Sequence, residues 1–438
     1  MLEKLSCYLA RVIIFLIALA LMAGMIGCAP VQYNLTTSST EGGKVTTPSE
    51  GTFTYNKGTV ANLMAEPEDG YHFVNWTGEV GTIANVNAAT TTIIMNDHYS
   101  ILANFALVIW EIRDWYDLDA IRDDLSGPCA LMNDLDSTTA GYEELASETA
   151  NGGKGWEPIG TVADQFVGSF DGQGYEISDL FINRPDEINV GPFSEIGQEG
   201  ITKDIGLVNV TVIGNDYAGG LVGHNDGMVS DSYSTGSVTG NSSIGALVGH
   251  NGGIVNDSYS NGSMTGDSRV GGLVGWNQAT LSNSYSSCSV TGDSRIGGLV
   301  GDNWYYEGTV SNSYSTGSVT GSTQVGGLVG VNYYGSVTHS YSTGSVTGSS
   351  QVGGLVGWNT DIVSNSFWDR VTSGMEESDG GTGKNTMEMQ DTATFTDTET
   401  QGLDKPWDII AVNPGQTNPA YIWNIVDDET YPFLSWES

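Results

Sequence analysis

The chain is short of charge, and of positive charge above all. Only 15% of its 438 residues are charged, and 14 Lys and Arg stand against 52 Asp and Glu, a formal net charge of −38. A surface of that sign repels nucleic acid and anionic lipid, which excludes a nucleic-acid partner. It suits an acidic, soluble surface that attracts calcium weakly or meets a basic partner. Cysteine is scarce too. Besides Cys7 and Cys28 near the start, only Cys129 and Cys288 remain, 159 positions apart, so there is no disulfide framework and no metal spacing. The five histidines, among them His224, His250 and His339, have no partner cysteine and no HExxH context. "DGGTGKNT" (379–386) fails as a phosphate loop, because Ser378 stands where the first glycine is needed and Asn385 follows the lysine. A GxSxG nucleophile motif and EF-hand or RTX acidic spacings are absent. No catalytic residue, cofactor or metal set is therefore expected. The shortage of charge, beside 10% aromatics and 60 glycines, also excludes disorder, and the lack of a three-residue period excludes collagen.

Long apolar runs are confined to Val12–Met25, which follows Lys4 and Arg11. That run is too short for a stable membrane span and has the order of an export signal. Its ending, Met25-Ile26-Gly27-Cys28, resembles a bacterial lipobox. The resemblance implies cleavage after residue 27 and a diacylglycerol on Cys28, which makes the membrane a partner through that lipid. An ordinary signal peptide and an uncleaved anchor helix are the alternatives.

Residues 28–106 follow as a first module after a short tether. Alternating stretches such as "GTFTY", "HFVNW" and "YSILANF", broken by Gly, Asn, Asp and Pro, predict short antiparallel strands. Gly42-Gly43, Gly70, Trp76 and Asn104-Phe105 resemble the divergent internalin-type B-repeat, with "GYHFVNW" the most specific piece. The resemblance implies a small β-grasp-like domain. Trp76 reads as a packing residue, with a ligand platform as the alternative. In the opening segment, 107–159, Leu118, Ile121 and Leu125 have helical spacing between an Asp114 N-cap and a Gly127 stop. A strand follows at "CALMNDLD". That helix would cover the end of a stack.

The stack itself is written in a repeat over 160–371. "VGGLVGWN" (270–277) has close copies aligned on Leu221, Leu247, Leu273, Leu299, Leu328 and Leu355, in steps of 26, 26, 26, 29 and 27 residues. Aromatic residues at Tyr233, Tyr259, Tyr285, Tyr314, Tyr341 and Phe367 keep the same step. The runs have no helical spacing, and the period is too short for a propeller blade. The fold class expected is all-β: a parallel β-solenoid of about eight coils, three short strands and glycine-bearing corners in each. Asn225, Asn251, Asn277, Asn303, Asn332 and Asn359 recur in one register and read as a stacked amide ladder, with a ligand-binding amide row as the alternative. "GGLVGWN" with "VSNSYSTGSVTG" resembles the GLUG motif, whose arrays are found in exported surface proteins, including adhesin-like ones, and carry no catalytic residues. Residues 372–438 lose the period and bring Trp407, Trp423, Tyr431, Phe433 and Trp436 together as an aromatic cap.

What stacking does not require is a set of aromatics in variable slots and insertions: Trp276, Trp304, Tyr305, Tyr306, Tyr333, Tyr334 and Trp358. These are the candidate ligand-binding residues, for a glycan or another surface polymer or protein. The tyrosine row is a second carbohydrate platform to consider. Asp267 and Asp293, with Arg269 and Arg295, recur one coil apart and read as a surface charge ladder. His224 and His250 share a slot with Trp276, Asp302, Val331 and Trp358, which reads as variable and exposed. A non-catalytic recognition protein is the expectation. A polysaccharide lyase or hydrolase on the solenoid, and a passive envelope spacer, are the alternatives.

Overall fold

The computed structural model describes residue 13 and residues 30–437, so the signal segment and Cys28 lie outside the described residues. The described chain divides into two compact units, one ending at Val108 and one starting at Ile109.

In the first unit, Gln32–Ser39 lies between Gly51–Asn56, antiparallel to it, and Tyr99–Leu107, parallel to it; Tyr71–Gly78 closes this four-stranded sheet. Gly43–Thr47, Val60–Pro67 and Thr90–Ile94 form a second, antiparallel sheet. Strict alternation in Val60–Pro67 buries Ala61, Leu63 and Ala65 against Leu35, Ile93, Ile101 and Trp76. The expected strands are present, but one pair is parallel. No helix lies across the sheet among residues 32–107, and the second sheet supplies the covering layer. Trp76 is buried, and its Nε1 donates to the Ala88 carbonyl at 3.0 Å.

The second unit is a parallel β-solenoid with four strands per coil instead of three. One coil runs Asp216–Gly219, Val222–Asn225, Met228–Ser230 and Tyr233–Thr239. Its successors pair in register, for example Val222 with Val248, then Val274, Val300, Val329 and Val356. The fourth strand arises inside the repeated phrase. A Cβ at Gly219 would stand 2.1 Å from the Val222 carbonyl oxygen, so the chain doubles back there and splits "AGGLVG" into two strands. Leu221, Val222, Val229 and Val238 point inward, each 1% exposed or less. Each such side chain contributes about 1.5–3 kcal/mol over leaving it in water.

Another corner needs no glycine. Asp231, Asp257, Asn283, Asn312, His339 and Asn365 hold it with φ of +48° to +51°, a left-handed conformation that Asn, Asp and His tolerate best. The serine after each corner forms a ladder that the sequence did not announce. Ser258 Oγ accepts from the Ser232 amide at 3.3 Å and donates to the Asn256 carbonyl at 2.7 Å, and the pattern recurs up to Ser366.

Cys288 stands in a column that Gly236, Gly262, Gly317 and Gly344 otherwise fill, and the strand changes there. Gly236 and Gly262 take φ of +129° and +148°, and their strands, Tyr233–Thr239 and Tyr259–Thr265, are unbroken. A Cβ disfavours that conformation. At Cys288 the strand parts into Tyr285–Ser286 and Ser289–Thr291, and the coils beyond copy the break. The thiols of Cys288 and Cys129 are buried, and burial raises both, Cys129 to about 12. Iodoacetamide at pH 8 should therefore leave both unmodified by peptide mass mapping until denaturant is added, since the thiolate is the reactive form. Alkylation of either in the folded chain would contradict this packing.

At the leading end, Trp110–Ile112 and Pro128–Leu131 are already strands of the ten-stranded solenoid sheet. Asp114 caps the helix Trp115–Asp119, accepting from the Asp117 amide at 2.9 Å. The expected helix is cut short after a 3-10 turn, Ala120–Asp123, because the Asp124 carboxylate turns to the Ser126 amide and hydroxyl. At the far end, Ser378 Oγ accepts from the amides of Leu355 and Val356, at 3.1 and 2.8 Å, and Thr382–Lys384 adds a strand to Phe367–Asp369. The remaining C-terminal segment corrects the expectation of an end cap. Its small sheet, Ile409–Ala411, Trp423–Ile425 and Phe433–Leu434, lies along the side of the coils, burying Trp407 and Trp423 with Tyr314, Tyr341 and Phe367.

Candidate functional site

The second residue of each strand in the six-stranded sheet decides the chemistry of the neighbouring face. Pairing steps from Asp216–Ser242 to Ala218–Ile244, leaving out Tyr217 and Ser243. Tyr217, Ser243, Arg269, Arg295, Gln324 and Gln351 all take φ of +52° to +60°. Such a kink is uncommon in non-glycine residues. Tyr217, Arg269 and Arg295 thereby meet the slot shared by Glu195, His224, His250, Trp276, Asp302, Val331 and Trp358.

That slot is not the exposed position expected of it. Asp302 is fully buried, Val331 is 1% exposed and His250 is 9% exposed. Burial raises the Asp302 carboxyl, opposed by Arg295 Nη1 at 2.9 Å and Arg269 Nε at 3.2 Å, both on Oδ2. Arg269 and Arg295 are thus no surface ladder with Asp267 and Asp293. They also cover rings, Arg269 at 4.8 Å from the Trp276 centroid and Arg295 at 6.0 Å from Trp304. Trp276 stacks on His250 at 4.5 Å and belongs to a column with Tyr217 and His224. Burial, then His224, pushes His250 down to about 4. The contact of the arginines with Asp302 depends on the kink, which a strand pattern does not reveal.

The other six sequence candidates meet. Trp304 and Tyr333 share a register and stack at 4.2 Å; Tyr333 stacks on Trp358 at 5.7 Å, and Tyr306 on Tyr334 at 5.2 Å. Tyr305 packs edge-on to Tyr306, and Tyr334 edge-on to Tyr333. Tyr305, Tyr306 and Tyr334 are 57%, 76% and 41% exposed. With so much of Tyr306 in solvent, one ring face is covered, by Tyr334, and the other is open. The arrangement offers an apolar platform with hydroxyl groups around it. The tyrosine row, by contrast, is closed as a platform. Tyr233, Tyr259, Tyr285, Tyr314 and Tyr341 stack face to face at 4.7–5.0 Å, and Trp436 and Trp423 pack against them.

The asparagine column forms a buried ladder. Nδ2 of Asn225, Asn251, Asn277, Asn303 and Asn332 donates to Oδ1 of the next asparagine at 2.8–2.9 Å. Each also reaches main-chain carbonyls, as Asn277 does at Ala279 and Thr309. These donors are spent on the fold.

The second unit is thus a coiled repeat array carrying this ladder, and the first unit is a two-sheet module. Residues 214–239, 292–320 and 321–347 match the GLUG motif, and residues 33–109 match the divergent InlB B-repeat domain. Among curated proteins, halomucin of Haloquadratum walsbyi is 39% identical over 92 residues, 21% of this chain and 1% of that protein. A protein of Evansella cellulosilytica, described as a Gly-rich membrane protein, is 38% identical over 91 residues, 20% of this chain and 10% of that protein. The chain therefore spans a small part of the curated relatives it matches. A Bacteroides ovatus crystal structure, described as an immunoglobulin A1 protease, aligns with TM-score 0.41 and 17% identity, over 75% of this chain and 92% of that one. Among the described residues, no helix is long and apolar enough to cross a membrane.

Proposed function

We propose that this is an exported protein, held at a membrane by lipid on Cys28, that recognises a surface polymer without catalysis, a glycan being the ligand class best suited. One observation carries the reading: Trp304, Tyr305, Tyr306, Tyr333, Tyr334 and Trp358 form a continuous aromatic patch, partly on insertions that the coil does not need. Contiguous exposed apolar surface on a soluble domain marks an interaction site. An open ring face such as that of Tyr306 suits the C–H face of a sugar, and neighbouring hydroxyls suit its polar edge. Export and anchoring rest on the signal-like N-terminus and its lipobox-like ending, and the name of one relative as a membrane protein agrees with them.

The test is retention of the purified full chain on a panel of polysaccharides and cell-surface extracts, with released product assayed in the same samples. Retention without product is expected, and Tyr305→Ala/Tyr306→Ala/Tyr334→Ala should lower it at least about tenfold, the loss of two or three exposed contacts. Product release would overturn the non-catalytic reading. Retention unchanged in the triple variant would overturn the patch, and no retention by any sample would favour a passive spacer.

A further inference from the structure

We propose that Glu195, His224 and Asp226, joined by Asn189, bind a divalent transition-metal ion of the zinc type. The ligands come from two adjacent coils, so no local motif announces them: Phe193–Ile196 pairs with Val222–Asn225 and sets Glu195 beside His224. One donor atom from each of the three lies within 4.8 Å of the others. Glu195 Oε1 is 3.3 Å from His224 Nδ1, and Asp226 Oδ1 is 3.2 Å from Nε2. The first separation is close to that between two donors each about 2.0–2.2 Å from one tetrahedral ion. For one ion to take all three, Asp226, whose side chain is a third exposed, must turn its carboxylate toward the nitrogen that Glu195 faces.

Two further features favour an ion. Glu195 is 3% exposed, and among the described residues no lysine or arginine pairs with it. Its oxygens meet Gln165 Nε2 at 3.1 Å and Asn189 Nδ2 at 3.2 Å, both neutral donors. A buried carboxylate without a full counter-charge is costly. Independently, Asn189 is 5% exposed, and its Oδ1 has no hydrogen-bond partner although its amide group rests against Glu195. That oxygen is a fourth donor left over by the protein's own contacts. An imidazole nitrogen and three oxygens suit zinc and its neighbours in the first row, whereas calcium takes six to eight oxygens.

The probe is Co2+, whose visible ligand-field absorption reports nitrogen and oxygen coordination. The purified full chain, without a histidine tag, should bind one equivalent with such absorption. Zn2+ should abolish it and excess Ca2+ should not. Asp226→Asn should weaken Co2+ binding by about tenfold or more, as loss of a ligand must at least match loss of its supporting contacts. The same variant should melt like the parent when no metal is added, and His224→Gln should lose the absorption altogether. Absent absorption, many-site binding displaced by Ca2+, or equal affinity in Asp226→Asn would overturn the proposal. The cluster would then be an imidazole bridging two carboxylates.

Discussion

Asn277→Asp lowers the free energy of unfolding by about 3 kcal/mol or more, whereas Asn359→Asp costs under about 1 kcal/mol. Both residues occupy the same column, and the difference follows from what each amide nitrogen serves. Asn277 is fully buried and donates to Asn303 Oδ1 at 2.8 Å, to the Ala279 carbonyl at 3.0 Å and to the Thr309 carbonyl at 3.2 Å. Aspartate has no hydrogen to give when ionised, so three acceptors would face a carboxylate with no water to intervene. Each buried group orphaned this way costs about 1–3 kcal/mol. Asn359 ends the ladder in a half-exposed position. There its side chain accepts from Asn332 and from the Asp361 amide, which aspartate does equally well, and its Nδ2 donates only to the Asp361 carbonyl. Urea denaturation of the two variants checks the prediction, the midpoint shift being read at constant slope. Equal midpoints would mean that the ladder bears no weight. Because coils stabilise one another through nearest neighbours, the break at Asn277 also removes coupling between the two halves of the stack.

The solenoid was legible in the sequence because a coil repeats its register. The step between leucines, the recurring asparagine and the alternation of valines each depend on position along the chain, and a parallel stack preserves position. Details that depend on how one strand leans on the next were not legible. "AGGLVG" contains a chain reversal at Gly219, fixed by a carbonyl from three residues on, and it reads as a single run. His250, Asp302 and Val331 share a slot too varied to suggest burial, yet all three are covered, because neighbouring residues such as Tyr217, Arg269 and Arg295 adopt left-handed φ. Variety there reflects a set of individually matched pairs. The aromatic patch was legible residue by residue, since insertions break the period visibly. Trp276 was grouped with it by residue type and lies instead with His250 and Arg269.

The matched pairs lead to the other large effect. Arg269→Met/Arg295→Met together should cost about 3–5 kcal/mol of stability near neutral pH, the range for stripping a buried charge of its partners. Methionine keeps much of the volume and the cover over Trp276 and Trp304, so the loss reports mainly on Asp302. That carboxylate has both guanidinium contacts on Oδ2, while Oδ1 has no partner at all. Without the arginines only burial acts on it, and burial raises its pKa. A raised folded-state value means that protonation favours the fold. The deficit relative to the parent should be full above the folded value and should shrink as pH falls toward the unfolded value near ~3.9. Adding Asp302→Leu to the double variant removes the stranded charge, and stability should return to within about 1–2 kcal/mol of the parent, as apolar replacements of buried ion groups do. Denaturation curves at pH 7 and pH 4.5 for the three proteins decide it. A deficit that does not change with pH, or one that Asp302→Leu fails to relieve, would show that the arginines act through packing on the tryptophans and that Asp302 carries no buried charge.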